Sequence, residues 1–206
     1  VISYAGRYHA FQDVAVTPQP YQKPLPPIRV AATSPDTFVT IGRQGLPIFL
    51  AVRHEDARIF APQIAAYRKA YAEAGHAGNG QVFLRAPGYL ATTTARARID
   101  AEASLMHYYH AQAKLLADSA KRAGVDSVER RNLTAERLAS ITYDEALRGS
   151  VFIGTPDTVS RQLQGLRDEL ELDGVLLELN CGGAIPHRNV LAAVKLLCQD
   201  VMPRFH

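Results

Sequence analysis

The chain has 206 residues, of which 47% are hydrophobic and 21% charged, and a formal net charge of +3. That length buries a sizeable core and suits one domain of ordinary globular composition. The dispersed charge, with Lys121-Arg122 and Arg130-Arg131 as its tight pairs, leaves no nucleic-acid footprint; no apolar run reaches membrane-spanning length; and Cys181 and Cys198, without metal-ligand spacing, read as reduced thiols of a cytoplasmic protein.

Residues 1–17 alternate loosely, with Tyr4, Tyr8, Phe11, Val14 and Val16 apolar, which predicts a short hairpin or extended excursion. Residues 18–27 are too rich in proline for helix, because each proline fixes its own φ and pushes its predecessor to extended geometry. Ile28 to Ala32 then read as the first core strand. Ser34-Pro35-Asp36-Thr37 opens a helix, with Ser34 as N-cap and Pro35 at the first helical position. Free N–H groups and hydroxyls at such a place suit an anion. Phe38, Val39 and Ile41 fit that helix, and Gly42 and Gly45 close it.

Leu46 to Val52 is a second apolar run of strand length. Glu55 to Ala74 is predicted helical, with Ile59, Phe60, Ile64, Tyr67 and Tyr71 at helical spacing. Val82 to Ala91 reads as a third strand, bent at Pro87-Gly88. Thr92-Thr93-Thr94 caps a long helix from about Ala95 to Ala123, and residues 125–149 read as short helices and turns. Thr155 caps a helix, with Pro156 at its first position, that runs to Leu170. Gly174 to Asn180 is the fourth strand, Gly182-Gly183 a turn, and Arg188 to Cys198 the last helix. There is no internal repeat in this reading. Four apolar strands separated by helices predict an α/β fold with parallel pairing through right-handed crossovers. The strands at 28–33 and 174–180 would be left with open edges, which have to be covered or paired.

Three segments carry a family resemblance: Gly6-Arg7-Tyr8, Phe11, Asp13-Val14, Pro18, Pro20, Gln22, Pro24 and Pro26-Pro27-Ile28; then Ile153-Gly154-Thr155-Pro156-Asp157-Thr158-Val159; then Gly182-Gly183-Ala184-Ile185-Pro186 followed by Val201-Met202-Pro203. In this order they resemble the bacterial luciferase-like, flavin-dependent monooxygenases. The resemblance implies a (β/α)8 TIM barrel, which typically needs about 250 residues. Residues 1–206 would then be a single partial barrel domain, its C-terminal half, with 1–27 as lead-in and 28–206 as strand–helix units. The first four strands would precede this sequence or come from another chain. The implied activity is oxygenation of a small organic substrate with O2 and reduced FMN, the flavin being delivered by a separate NAD(P)H-using reductase to a homo-oligomeric enzyme. Alternatives on the same fold are a reductase or dehydrogenase using the deazaflavin F420, and a truncated flavin-binding homologue without turnover.

In such barrels ligands bind beyond the C-terminal ends of the strands. The resemblance assigns the flavin phosphate to Ser34 and Thr37; where the family carries an acidic residue, this chain has Thr33. Gly182 and Gly183 either let the backbone approach a ligand or only make a tight turn. Arg53 and His54 end the second strand and read as a charged loop. Arg85, mid-strand, is expected to be buried with a partner or to lie on an edge. His107 and His110 are one helical turn apart, but no third ligand accompanies them and no metal is expected. Asp168 and Glu169 read as solvent-facing. The ring contacts in this family come largely from the earlier strands, so no catalytic residue is assigned.

Overall fold

The computed structural model describes residues 1–32, 34–52, 54–121 and 125–205; Thr33, Arg53 and Arg122 lie outside the described residues. The N-terminal alternation forms an antiparallel hairpin of β1 (Ile2–Ala5) and β2 (Ala10–Val14), with Ile2 opposite Val14 and Tyr4 opposite Phe11. Both strands are exposed along their whole length. The Tyr4 and Phe11 rings, 5.8 Å apart, form the hairpin's own apolar contact.

The body is a parallel sheet of β3 (Val30–Ala31), β4 (Ile48–Ala51), β5 (Val82–Leu90), β6 (Phe152–Gly154) and β7 (Gly174–Glu178). β5 is its centre. Ile48 and Val82 are in register across β4–β5, and Leu84 and Val175 across β5–β7; only the last three residues of β5, Gly88 to Leu90, pair with β6. Four strands match the predicted runs. The fifth, β6, is a difference: three residues show no periodicity, and this strand forms because the long β5 continues past the end of β7. The first strand is shorter than its apolar run. It has β4 on one side only, and Ile28 just before it is 57% exposed.

The strands sort their side chains by alternation. Ile48, Leu50, Val52, Val82, Leu84 and Ala86 are buried in one core with Phe38, Ile41, Ile64 and Tyr67 from the helices. Phe49, Ala51, Phe83, Arg85, Leu176 and Glu178 take the opposite face, which no helix covers, and are partly to largely exposed. In a closed barrel that face is the lumen. Of the apolar residues on the two edges, Val30, Val175 and Leu177 are half-buried and Leu179 is buried, whereas Leu176 is 48% exposed.

The helices follow their caps: α1 (Pro35–Arg43), α2 (Ala61–Glu73), α3 (Thr94–Ala120), α4 (Val125–Ser140), α5 (Tyr143–Ala146), α6 (Pro156–Leu170) and α7 (His187–Leu196). Three differ from the sequence expectation. The Glu55 helix starts late, because Asp56 accepts the Arg58 N–H and sets a 3-10 turn, Ala57–Phe60, before α2. The stretch 125–149 is a sixteen-residue helix packed along α3, followed by α5 with a reciprocal Thr142–Glu145 cap. The last helix leaves α geometry at Leu197 and ends in a 3-10 turn at Met202–Phe205.

Candidate functional site

All five parallel strands point their C-terminal ends the same way, so the loops after them share one mouth. At the β3–α1 junction Ser34 is extended (φ −131°) and stands at the N-cap, but its hydroxyl makes no capping bond. It bonds instead to the Thr37 hydroxyl, Oγ to Oγ1, at 2.6 Å, while the Thr37 N–H donates to the Ser34 carbonyl at 3.0 Å. One hydroxyl proton serves that contact and the other is spare. Both side chains are half-buried. Two hydroxyls thus stand together at the positive end of a nine-residue helix. Thr33, the neighbouring candidate that stands where the family carries an acidic residue, is outside the described residues.

The β7–α7 loop is built differently. Ser104 of α3 is buried beneath it, donating to the Cys181 carbonyl at 2.7 Å and accepting from the Ala184 N–H at 3.0 Å. Asn180 Oδ1 accepts the Ile185 N–H at 3.0 Å, and His107 Nδ1 lies 2.9 Å from the Gly182 carbonyl. Gly182 and Gly183 have φ of +95° and +76°. A Cβ on Gly182 would stand 1.9 Å from the Ser104 carbonyl oxygen, whereas one on Gly183 would meet nothing within 4 Å. The close backbone approach at Gly182 is thus toward α3, and Gly183 borders open space.

His107 lies on α3 beside the β7–α7 loop. Its ring is exposed, yet a carbonyl only accepts, so Nδ1 carries the proton and the ring is held at the loop; His110 remains solvent-facing. Asp168 and Glu169 stay on the outer surface, where Glu169 forks onto Arg58. After β4, the His54 N–H donates to Glu55 at 3.2 Å, and Ser150 anchors the loop through the Glu55 carbonyl and the Ala57 N–H. Arg53 lies outside the described residues.

The uncovered face of the sheet carries a polar cluster just inside this mouth. Arg85 of β5 forks onto Glu178 of β7, Nε to Oε1 at 2.7 Å and Nη2 to Oε2 at 2.5 Å. Burial works against the guanidinium charge, but the nearby Tyr108 and the Glu178 carboxylate that accepts its fork outweigh it and hold its pKa above the ordinary value. Cys181 donates its thiol to Glu178 Oε2 at 3.4 Å; burial, with the Glu178 charge added, pushes its pKa up to about 12 and keeps it a thiol. Arg85 is therefore half-buried with an equally half-buried partner. One sequence did not reveal that partner, because the β5–β7 register was not legible; the available signal was that Arg85 and Glu178 each break an apolar alternation on the unburied face. Among the described residues no group of three potential metal ligands occurs. A groove of about 500 Å³ lies away from this mouth, behind β7, where Leu163, Leu177, Val201 and Phe205 line it.

A parallel sheet with helices on one face and an opposite face that turns polar at the strand ends describe part of an α/β barrel. The chain belongs to the luciferase-like monooxygenase family, whose sequence profile matches residues 1–170. A search of curated proteins finds no match. Among solved structures, the chain is similar to the monooxygenase RslO1 from Streptomyces bottropensis, at 21% identity and a TM-score of 0.71, over 100% of this chain and 56% of that one. It is also similar to the oxygenating constituent of 3,6-diketocamphane monooxygenase from the CAM plasmid of Pseudomonas putida, a type II Baeyer-Villiger monooxygenase solved with FMN, at 15% identity, a TM-score of 0.67 and 98% and 58% coverage. The coenzyme F420-dependent tetrahydromethanopterin reductase from Methanopyrus kandleri aligns at 15% identity, a TM-score of 0.66 and 99% and 58% coverage. The chain thus spans little more than half the length of these proteins.

Proposed function

We propose that this chain is the C-terminal part of a flavin-dependent monooxygenase that oxygenates a small organic substrate with O2 and reduced FMN, the flavin coming from a separate NAD(P)H-using reductase. The observation that carries the reading is the Ser34–Thr37 hydroxyl pair, which sits at a helix N-terminus without capping it. When bound, reduced flavin supplies the electrons with which O2 is activated. The chain's own residues bind and orient: Ser34 and Thr37 hold the phosphate, and the α3-backed loop at Gly182-Gly183 walls the mouth. The remaining strands of the barrel, supplied from outside this sequence, close the mouth against water. Residues 1–206 alone are accordingly expected to show no coupled turnover. The enzyme is proposed to be a cytoplasmic homo-oligomer.

The reading on the same fold with F420 rests on an observation of equal weight, the likeness to an F420-dependent reductase at nearly the same TM-score. Both cofactors bring a phosphate to the same strand ends. Oxygen uptake by the full-length protein with reduced FMN separates them, because the F420 reading predicts none. The phosphate assignment is tested by flavin titration of the full-length Ser34→Ala/Thr37→Ala variant. Each hydroxyl bonded to a charged phosphate contributes on the order of 1–2 kcal/mol, so FMN affinity should fall at least tenfold. Unchanged affinity would leave Ser34 as a helix-start residue only.

A further inference from the structure

Among the described residues, the open face of the sheet carries Arg29, Arg85 and Glu178, and only the last two cancel. Arg85 and Glu178 fork together near the mouth. Arg29 stands one residue before β3, at the opposite, N-terminal end of the same face. Its guanidinium carbon lies 3.8 Å from the centroid of the Phe83 ring. Phe83 is stacked with Phe49 of β4 at 6.4 Å and fills the space above Gly174 of β7, where a Cβ would come within 2.9 Å of the ring. Arg29 is exposed, and no carboxylate pairs with it among the described residues.

Water solvates that charge while the face is open. In a closed barrel the same position is the floor of a lumen filled by side chains. An aromatic ring attracts a guanidinium far less than burial without a counter-ion penalises it, so the strands that close the barrel have to bring an anion. A second copy of this chain does not supply one. Two copies related by rotation about the barrel axis keep every strand parallel, and they would set both Arg29 guanidiniums on one floor, with Arg85 and Glu178 of each copy already paired. Like charges in a dry site repel. This chain covers only 56% and 58% of the solved chains it matches, so in those proteins one polypeptide has the length for both halves. Among the described residues β3 pairs only with β4, and β7 only with β5, which leaves one edge of each for incoming strands. We propose that the half barrel completing this sheet is a preceding segment of the same polypeptide, and that it carries one Asp or Glu on the lumen floor whose carboxylate accepts the Arg29 fork above Phe83. This placement rests on the barrel reading above and not on the identity of the flavin.

The test is made on the full-length protein. Arg29→Met keeps a long side chain on Phe83 and removes the charge. It should lower the melting midpoint by about 5 °C, because a buried carboxylate is left without its partner. In that background each Asp or Glu of the preceding segment is changed in turn to Asn or Gln. One such change should restore most of the lost midpoint, and the same change in the wild type should lower it, the reciprocal signature of a pair. Phe83→Leu is the control for the ring contact: it leaves the ion pair in place, so the restoring change should not rescue it. An unchanged midpoint in Arg29→Met overturns the proposal, as a solvated arginine would give, and so does a raised one, as two facing copies would give. A lowered midpoint that no acidic substitution restores overturns it as well. FMN is titrated in separate samples of the wild type, so failure to bind flavin strikes the functional reading alone, and failure of the rescue strikes the floor pair alone.

Discussion

The turn after β3 and the turn after β7 lie at the same end of one sheet, and both were candidate ligand sites, yet their polar groups have different fates. At Ser34–Thr37 two hydroxyls bond to each other, and neither caps the helix they precede. At Asn180–Ile185 the polar groups are stitched to α3 or to the loop itself: Ser104 takes a carbonyl and an N–H, Asn180 another N–H, and His107 a carbonyl. A strand-to-helix turn that spends its hydrogen bonds on its own fold is scaffold. One that leaves donors unspent beside a helix N-terminus has capacity for a ligand.

The contrast is broken most sharply at the glycines. Gly182→Ala places a methyl group 1.9 Å from the backbone oxygen of the buried Ser104 on α3, at a φ of +95°. Neither the helix nor the loop can yield cheaply, so the loss should be on the order of 3–4 kcal/mol. Gly183→Ala meets only its left-handed φ and should cost about 1 kcal/mol. Chemical denaturation of the two variants checks this. Equal losses would mean that the loop is not held against α3, and the distinction between the two turns would fall.

Ser104→Ala tests the same stitching from the other side. It leaves the Cys181 carbonyl and the Ala184 N–H without their partner in a buried position, which should cost about 2 kcal/mol. A loss of a few tenths would show that solvent reaches this loop and replaces the hydroxyl.

Much of this architecture is legible from residues alone. Long apolar runs such as Val82 to Ala91 and strong helix starts such as Thr155-Pro156 and Thr93 announce themselves, because burial and capping leave local signatures. The three-residue β6 does not, since its pairing depends on how far β5 extends. Nor does α4, a largely polar helix that nevertheless packs extensively along α3 and buries Ala135 and Leu138. At the candidate site, turn chemistry made Ser34 legible as a helix start, whereas its pairing with Thr37 came only through the family resemblance. Whether Ser34 spends its hydroxyl on the cap was not legible, because a serine before proline looks the same in both cases. The Arg85–Glu178 fork joins residues 93 apart through a register that one sequence does not encode visibly. The need for glycine at 182 was likewise hidden, being set by a helix eighty residues earlier.

The smallest effect is the most specific. The chain carries the same local pattern twice: Ser34-Pro35-Asp36-Thr37 before α1 and Thr155-Pro156-Asp157-Thr158 before α6. In the second the first hydroxyl is a working cap, accepting the Thr158 N–H at 3.3 Å, and its contact with the Thr158 hydroxyl is longer, at 3.1 Å. Asp157 there is paired with Arg204 at 2.8 Å. Removing a cap of this kind costs about 1 kcal/mol, so Thr155→Ala should lower stability by that amount. Ser34→Ala removes no bond to the helix backbone and should change stability by no more than about 0.5 kcal/mol. Thermal melts of the two single variants make the comparison within one protein, with one turn as the control for the other. If Ser34→Ala destabilises as much as Thr155→Ala, the two turns are the same device, and the hydroxyl at position 34 is spent on its helix. If the two differ as expected while Ser34→Ala still weakens FMN binding, the hydroxyl serves a ligand rather than the fold.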